Sequence, residues 1–179
     1  MKLTVLATLA CLALVATPAT AQLHGDQNAP ISTVPDLDIN RYTGLWYEIA
    51  RYPNRFERNC YAVTAEYALN DNGTIAVLNT CREGAVDGPV DVAEGRARVE
   101  GPGQLSVNFV RFLPFIRGDY YVLDITDDYS LAVVGEPGRN YGWILARAPQ
   151  ISDTEFARAT ATLERNGYDL SALERVPQP

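Results

Sequence analysis

The chain has 179 residues, 47% of them hydrophobic and 21% charged, with a formal net charge of −7 at neutral pH. That length suits one domain, and the acidic balance excludes nucleic acid and simple electrostatic docking on anionic lipid. One histidine, three cysteines and no Gly-rich phosphate loop leave little for metal or nucleotide chemistry.

Met1-Lys2 gives a positive start, residues 3–16 are uncharged and mostly apolar, and Pro18 breaks the run. Ala19-Thr20-Ala21 then has the small-x-small form of a signal peptidase site. Residues 1–21 are expected to be a leader removed on export, with the mature chain starting at Gln22. The bland alternative is a membrane anchor, but spanning takes roughly 20 apolar residues. Thr8-Leu9-Ala10-Cys11 is a poor lipoprotein box, so an unanchored periplasmic protein is expected. The mature chain carries 14 basic residues, all arginine, against 22 acidic ones. Its two cysteines, Cys60 and Cys81, read as one disulfide in an oxidising compartment.

Residues 22–40, rich in Pro, Asp and Asn, read as an extended lead-in to a single domain over residues 41–179. From residue 42 to residue 147, short β-branched and aromatic runs are broken by turn signals roughly every ten residues. The signals are Asn70-Asp71-Asn72-Gly73, Asp87-Gly88-Pro89, Gly101-Pro102-Gly103, Asp127-Asp128 and Glu136-Pro137-Gly138-Arg139. This spacing predicts an antiparallel meander closing into a sandwich or barrel.

Tyr61, Val63, Ala65, Tyr67 and Leu69 alternate with Thr64 and Glu66; Ile75 and Val77 follow the Asn72-Gly73 turn, which predicts a hairpin. Leu105, Val107 and Phe109 alternate in the same way. Strict alternation sends Cys60 outward and Cys81 inward, so their bond requires a bulge or a strand end near one of them. Ser152 and Glu155 form a capping box for a helix whose apolar face is Phe156, Ala159, Thr160 and Leu163, with Gly167 as its stop. Leu170, Leu173 and Val176 predict a short final strand.

Three stretches then carry a family resemblance. They are Gly44-Leu45-Trp46-Tyr47-Glu48-Ile49-Ala50-Arg51, then Val63-Thr64-Ala65-Glu66-Tyr67 leading into Ile75-Ala76-Val77-Leu78-Asn79, then Ala132-Val133-Val134-Gly135 with Pro137, Arg139, Tyr141 and Trp143-Ile144-Leu145-Ala146-Arg147. In this order the chain resembles the lipocalins, particularly the bacterial outer-membrane lipocalins and apolipoprotein D. The resemblance implies an all-β fold: an eight-stranded antiparallel up-and-down β-barrel (the lipocalin or calycin fold) with one C-terminal α-helix packed on the outside. It implies binding and transport or storage of a small hydrophobic ligand, such as a fatty acid, lysophospholipid or similar lipid. The place implied is the cell envelope, in the periplasm or at the outer membrane.

By the same resemblance Gly44 opens the signature, Trp46 fills the closed end of the barrel, and Arg147 lies across the Trp46 ring. With Arg147 at the base, alternation turns Leu145 and Trp143 inward. Tyr67, Val77 and Phe109 reach the interior in the same way, joined by Tyr120 and Val122, which completes the ligand-lining candidates. A packed barrel uses the same alternation as a hollow one, so both stay open.

No catalytic role is expected, since the single histidine, His24, lies in the lead-in. No metal and no cofactor are expected. The enzyme alternative, an isomerase for example, would need a buried carboxylate, either Glu48, which shares the parity of Trp46, or Asp124, which shares that of Tyr120 and Val122. A packed barrel working through its surface is the other alternative. Residues 109–116 are unusually apolar and suit a rim to the open mouth, a peripheral membrane contact or a homodimer contact.

Overall fold

The alternating runs fold as strands, and the breaks between them fall at the Gly, Asn, Asp and Pro clusters. The computed structural model describes residues 24–179; the leader, the cleavage point before Gln22 and Cys11 lie outside the described residues. After one helical turn, α1 (Ile39–Tyr42), come β1 (Gly44–Arg51), β2 (Cys60–Leu69), β3 (Ile75–Glu83), β4 (Val90–Gly101) and β5 (Gln104–Asn108). They are followed by β6 (Gly118–Ile125), β7 (Leu131–Gly135), β8 (Gly142–Ala146), α2 (Asp153–Arg165) and the two-residue β9 (Glu174–Arg175). Strands β2 to β8 pair in sequence order, β8 pairs with β1, and β1 pairs back with β2, so eight strands close the expected antiparallel barrel.

β1 has two neighbours in turn along one edge. Gly44 to Tyr47 pair with Tyr67 to Thr64 of β2, and farther up Ala50 and Arg51 pair with Arg175 and Glu174 of β9. The tail therefore fills the seam where β1 and β2 diverge, through Val176 N donating to Ile49 O (3.0 Å) and Ala62 N to Pro177 O (2.9 Å). Gln178 Nε2 also donates to Glu48 O and Val63 O.

Two apolar layers result. Inside the barrel lie Trp46, Tyr67, Ile75, Val77, Leu105, Val122, Val134 and Leu145. Outside it, Ile49, Leu123, Leu131, Val133 and Ile144 pack against Ala159 and Leu163 of α2. Strands covered on both faces have to be apolar on both, which is why Leu131–Gly135 reads as a continuous apolar run instead of alternating. The capping box at Ser152 and Glu155 is present, and Gly167 has φ +83° as the stop signal requires. On α2 the buried threonine is Thr162, not the expected Thr160. The final strand is shorter than expected, because residues 170–172 form a 3₁₀ turn.

The lead-in is extended only to Asp38, whose side chain caps α1 by accepting from Asn40 N and Arg41 N. Its Val34, Leu37 and Ile39 pack against the interior layer. His24 stacks on Tyr52 at 4.9 Å, within the covering of the outer face and away from the barrel interior.

Cys60 and Cys81 are bonded, with Cα atoms 5.4 Å apart. The register of β2 shifts between Tyr61 and Thr64, and Ala62 has φ +46°. That bulge is the deviation the parity of the two cysteines required. Closing a loop with a sequence separation of 21 stabilises by about 3 kcal/mol in the chain-entropy account. Replacing both cysteines by alanine should lower the unfolding free energy by about that amount in denaturant titration, while the far-ultraviolet spectrum of the native state stays unchanged.

Candidate functional site

The barrel has a closed end and an open end, and the closed end is built around Trp46, whose side chain is fully buried. Arg147 follows β8 and lays its guanidinium over the indole, with Cζ 3.8 Å from the ring centroid. The same guanidinium donates to the carbonyls of Leu45 (2.7 Å), Thr43 (2.8 Å), Arg41 (2.8 Å), Tyr42 (3.2 Å) and Tyr129 (3.3 Å). Trp46 Nε1 donates to Tyr42 O at 2.8 Å. Gly44 has φ +94°, and a Cβ there would sit 3.3 Å from Arg147 Nη1. The glycine of the signature thus serves both a left-handed turn and a close approach.

Above this floor three tyrosine hydroxyls form a chain, Tyr42 to Tyr120 at 2.6 Å and Tyr67 to Tyr120 at 3.0 Å. Burial pushes all three phenols up, that of Tyr67 to about 12. The space enclosed by Tyr42, Tyr67, Ile75, Leu105 and Tyr120 is about 10 Å³, room for one water molecule.

Nearer the mouth lies a polar band. Glu48 is 4% exposed and accepts from Arg51 Nη1 at 3.0 Å, while Arg51 Nη2 donates to Glu57 O and Cys60 O. Burial pushes the Glu48 carboxyl well above the usual range, the charge of Glu57 adds to this, and Arg51 opposes it. Glu57 Oε2 accepts from Asn54 Nδ2 and from Trp143 Nε1. Trp143 stacks on Tyr141 at 6.1 Å and packs against the interior layer, half-buried at the mouth.

Of the expected lining residues, Tyr67, Val77, Val122 and Leu145 belong to the interior layer, and Tyr120 and Trp143 pack against it. Phe109 is 45% exposed and outside the buried layer, although its ring lies on the inner side of the wall over Gly95. β5 ends at Asn108, whose amide donates to Leu113 O and Ile116 O to fold the next loop. Phe109 then lies across the inner face of Gly95, which pairs with Val77, and an added Cβ there would meet its ring at 2.7 Å.

Glu48 faces inward as its parity requires, but Asp124 does not. The β6 register shifts between Val122 and Asp124, and the carboxylate pairs with Arg158 of α2 at 3.2 Å on the outer face. Alternation missed three site residues. Tyr42 sits on a one-turn helix, Glu57 sits in a loop, and Arg51 turns inward because β1 carries a bulge between Glu48 and Ala50. Only the Asp38 cap ahead of Tyr42 was a readable signal. Among the described residues no three His, Cys, Asp or Glu side chains gather as metal ligands.

The loop at residues 109–117 stands exposed beside the mouth, with Phe112 82% and Phe115 76% accessible. The loops at the same end carry Phe56, which is 67% accessible and lies under the Arg55 guanidinium.

Three expectations follow. Trp46→Ala should cost about 3–5 kcal/mol of stability. Arg147→Lys, which keeps the charge and loses the planar fork, should cost about 2 kcal/mol; chemical unfolding measures both. The third concerns alkali. A folded-state phenol value raised above the unfolded value of about 10 contributes stability fully present below that value. For Tyr67 that contribution is lost as pH rises through about 12. Phenolate absorbance should therefore show the interior tyrosines ionising last, together with the loss of folded signal.

A model of the lipocalin-like domain matches residues 37–178. Outer membrane lipoprotein Blc of Escherichia coli (strain K12) is 39% identical over 150 residues, covering 83% of this chain and 84% of that protein. Temperature-induced lipocalin-1 of Arabidopsis thaliana is 38% identical over 157 residues, covering 83% of each. Apolipoprotein D of Mus musculus is 32% identical over 187 residues, covering 98% of this chain and 95% of that protein. Among solved structures, the cockroach allergen Per a 4 superposes with TM-score 0.65 at 21% identity, covering 86% of this chain and 97% of that one.

Proposed function

The chain belongs to the lipocalin family, and on that footing we propose that it is a non-catalytic carrier that takes one chain-like hydrophobic molecule through its open mouth. Binding and transport of a small hydrophobic ligand is the function of the fold it shares. One observation carries the reading of where the ligand goes: an apolar lining runs from a floor sealed by Trp46 and Arg147 to a mouth where Trp143 and Phe109 meet solvent. The lower barrel leaves about 10 Å³, whereas sites for ligands of this kind usually offer several hundred. Binding therefore moves side chains. Phe109 is the readiest to swing, since its partly exposed ring covers the inner face of Gly95 and is not part of the buried layer.

The carrier reading is favoured over the enzyme alternative because Asp124 lies outside and Glu48 is held in an ion pair. The protein is proposed to work in the cell envelope, which the leader pattern of residues 1–21 supports. The exposed aromatics of residues 109–117, with Arg111 and Arg117 and no acid among them, suit contact with a membrane surface from which a lipid is loaded.

Titrating lipid-stripped protein with a lysophospholipid or a long-chain fatty acid should change the Trp143 emission strongly and the Trp46 emission little. Trp143→Ala should weaken binding about tenfold, a loss of about 1.4 kcal/mol, and leave the fold intact. If Trp143→Ala unfolds the protein and the native protein binds no lipid, the barrel is packed and the carrier reading fails.

A further inference from the structure

Residues 53–59 join β1 to β2 at the mouth and are thinly attached to the barrel. Arg55, Phe56, Arg58 and Asn59 are exposed, and Glu57 among them is not. The segment folds on itself, with Asn54 Oδ1 accepting from Phe56 N and Glu57 N at 3.0 Å each. Its hold on the wall runs mainly through Glu57, whose Oε2 accepts from Trp143 Nε1 (3.2 Å) and whose carbonyl accepts from Arg51 Nη2 (3.0 Å). The Glu48 carboxyl also shares a side-chain hydrogen bond with Glu57. Beyond these, the Phe56 ring lies 5.9 Å from Tyr141, and His24 Nε2 lies 3.3 Å from Pro53 O on the outer face. A segment with so few ties opens locally at low cost.

The bond between the two carboxyl groups sets a condition. Ionised carboxylates only accept, so the bond exists only while one of the pair carries a proton. With that proton the pair holds one negative charge against the positive charge of Arg51, and the site is neutral. Burial and the charge of Glu57 keep the proton on Glu48 against the pull of Arg51. Without it, two carboxylates repel at low dielectric beside a single guanidinium. Among the described residues only Glu57 and Arg51 act on the Glu48 charge. Tyr67 of β2 faces the pair as a phenol pushed up to about 12. The other arginines are turned away: Arg55 lies over Phe56, Arg82 of β3 bonds Gly88 O, and Arg175 of β9 lies over Phe156. The two carboxyls also differ in freedom. Glu48 is 4% exposed on a strand and held by Arg51 Nη1, whereas the neighbours of Glu57 already stand in solvent. Glu57 is therefore the one that leaves.

Resting on the carrier reading above, we propose that residues 53–59 are a lid at the mouth, fastened by the one proton that Glu48 and Glu57 share, and that losing this proton releases the lid and speeds ligand exchange. Release breaks the bond from Trp143 Nε1 and frees that ring at the entrance. Because the Glu48 carboxyl is raised in the closed state, closure is stabilised below the raised value and loses that support as pH rises through it.

The test uses the glycerol monoester of palmitic acid, which has no titrating group. It is mixed rapidly with lipid-stripped protein and followed by Trp143 emission, with circular dichroism as a check of fold. Association should quicken about tenfold between mildly acidic and mildly alkaline pH, as the open fraction grows. Glu57→Gln and Glu48→Gln each put an amide N–H where the shared proton was and leave one carboxylate against Arg51. Both variants should therefore stay at the slow rate throughout. A native rate that does not change with pH, or a rise that persists in either folded variant, overturns the lid and leaves the carrier reading standing. Native protein that takes up no ester at any pH overturns both.

Discussion

A barrel holds an apolar molecule out of water only if one of its ends is shut, and strands alone cannot shut it. Strands leave their end carbonyls pointing at one another, and buried carbonyls need donors. Here one guanidinium satisfies the carbonyls of residues 41–43, 45 and 129 while covering the Trp46 ring. Arginine suits this task because its planar fork donates in several fixed directions and stays charged when partly desolvated. Every residue above the floor inherits its position from this arrangement. Trp143 and Leu145 face inward because Arg147 ends their strand at the base, and Tyr42 is held over Trp46 at 5.1 Å by the turn whose carbonyls Arg147 collects.

The covering of the barrel is uneven, and this bears on how it can open. β6, β7, β8 and β1 are backed by α2 and the outer apolar layer. β3 and β4 form a single layer whose outer face leaves Leu78, Val90 and Val92 exposed. Side chains packed between two layers move little, whereas a one-layer wall with small inward residues such as Gly95 and Ala97 has slack. The polar band is anchored on the thick side by Glu48, Arg51 and Trp143, and the partly exposed ring of Phe109 sits on the thin side. Buried polar contacts and the thinner packing are thereby found on opposite walls.

Period-two alternation and Gly-rich turns made the strands, their order and most of the lining readable in advance, because both follow from local geometry. The bulges were not readable. A strand bends where the curvature of the closed sheet demands it, and no residue type marks the place. One bulge turned Arg51 in, another turned Asp124 out, and a third brought Cys60 to Cys81. The cysteine case differs from the other two because an opposed pair with conflicting parity announced that a bulge had to exist. Glu57 escaped for another reason. Its place at the mouth depends on a loop folding back over β8, a tertiary contact that leaves no pattern in neighbouring residues.

The seam has a consequence for the order in which the molecule can assemble. The upper half of β1 finds its partners only in residues 142–146 and 174–178, about a hundred residues or more later in the chain. Until those arrive, a strand reading Leu45-Trp46-Tyr47-Glu48-Ile49-Ala50 is a free edge with large apolar side chains on both faces. Long-range closure of this kind is slow, because loop entropy must be lost before any contact rewards it. A chain threaded outward from its first residue would expose that edge for the whole of its passage. The kinetic hazard of this fold is therefore concentrated in the segment that seals its floor.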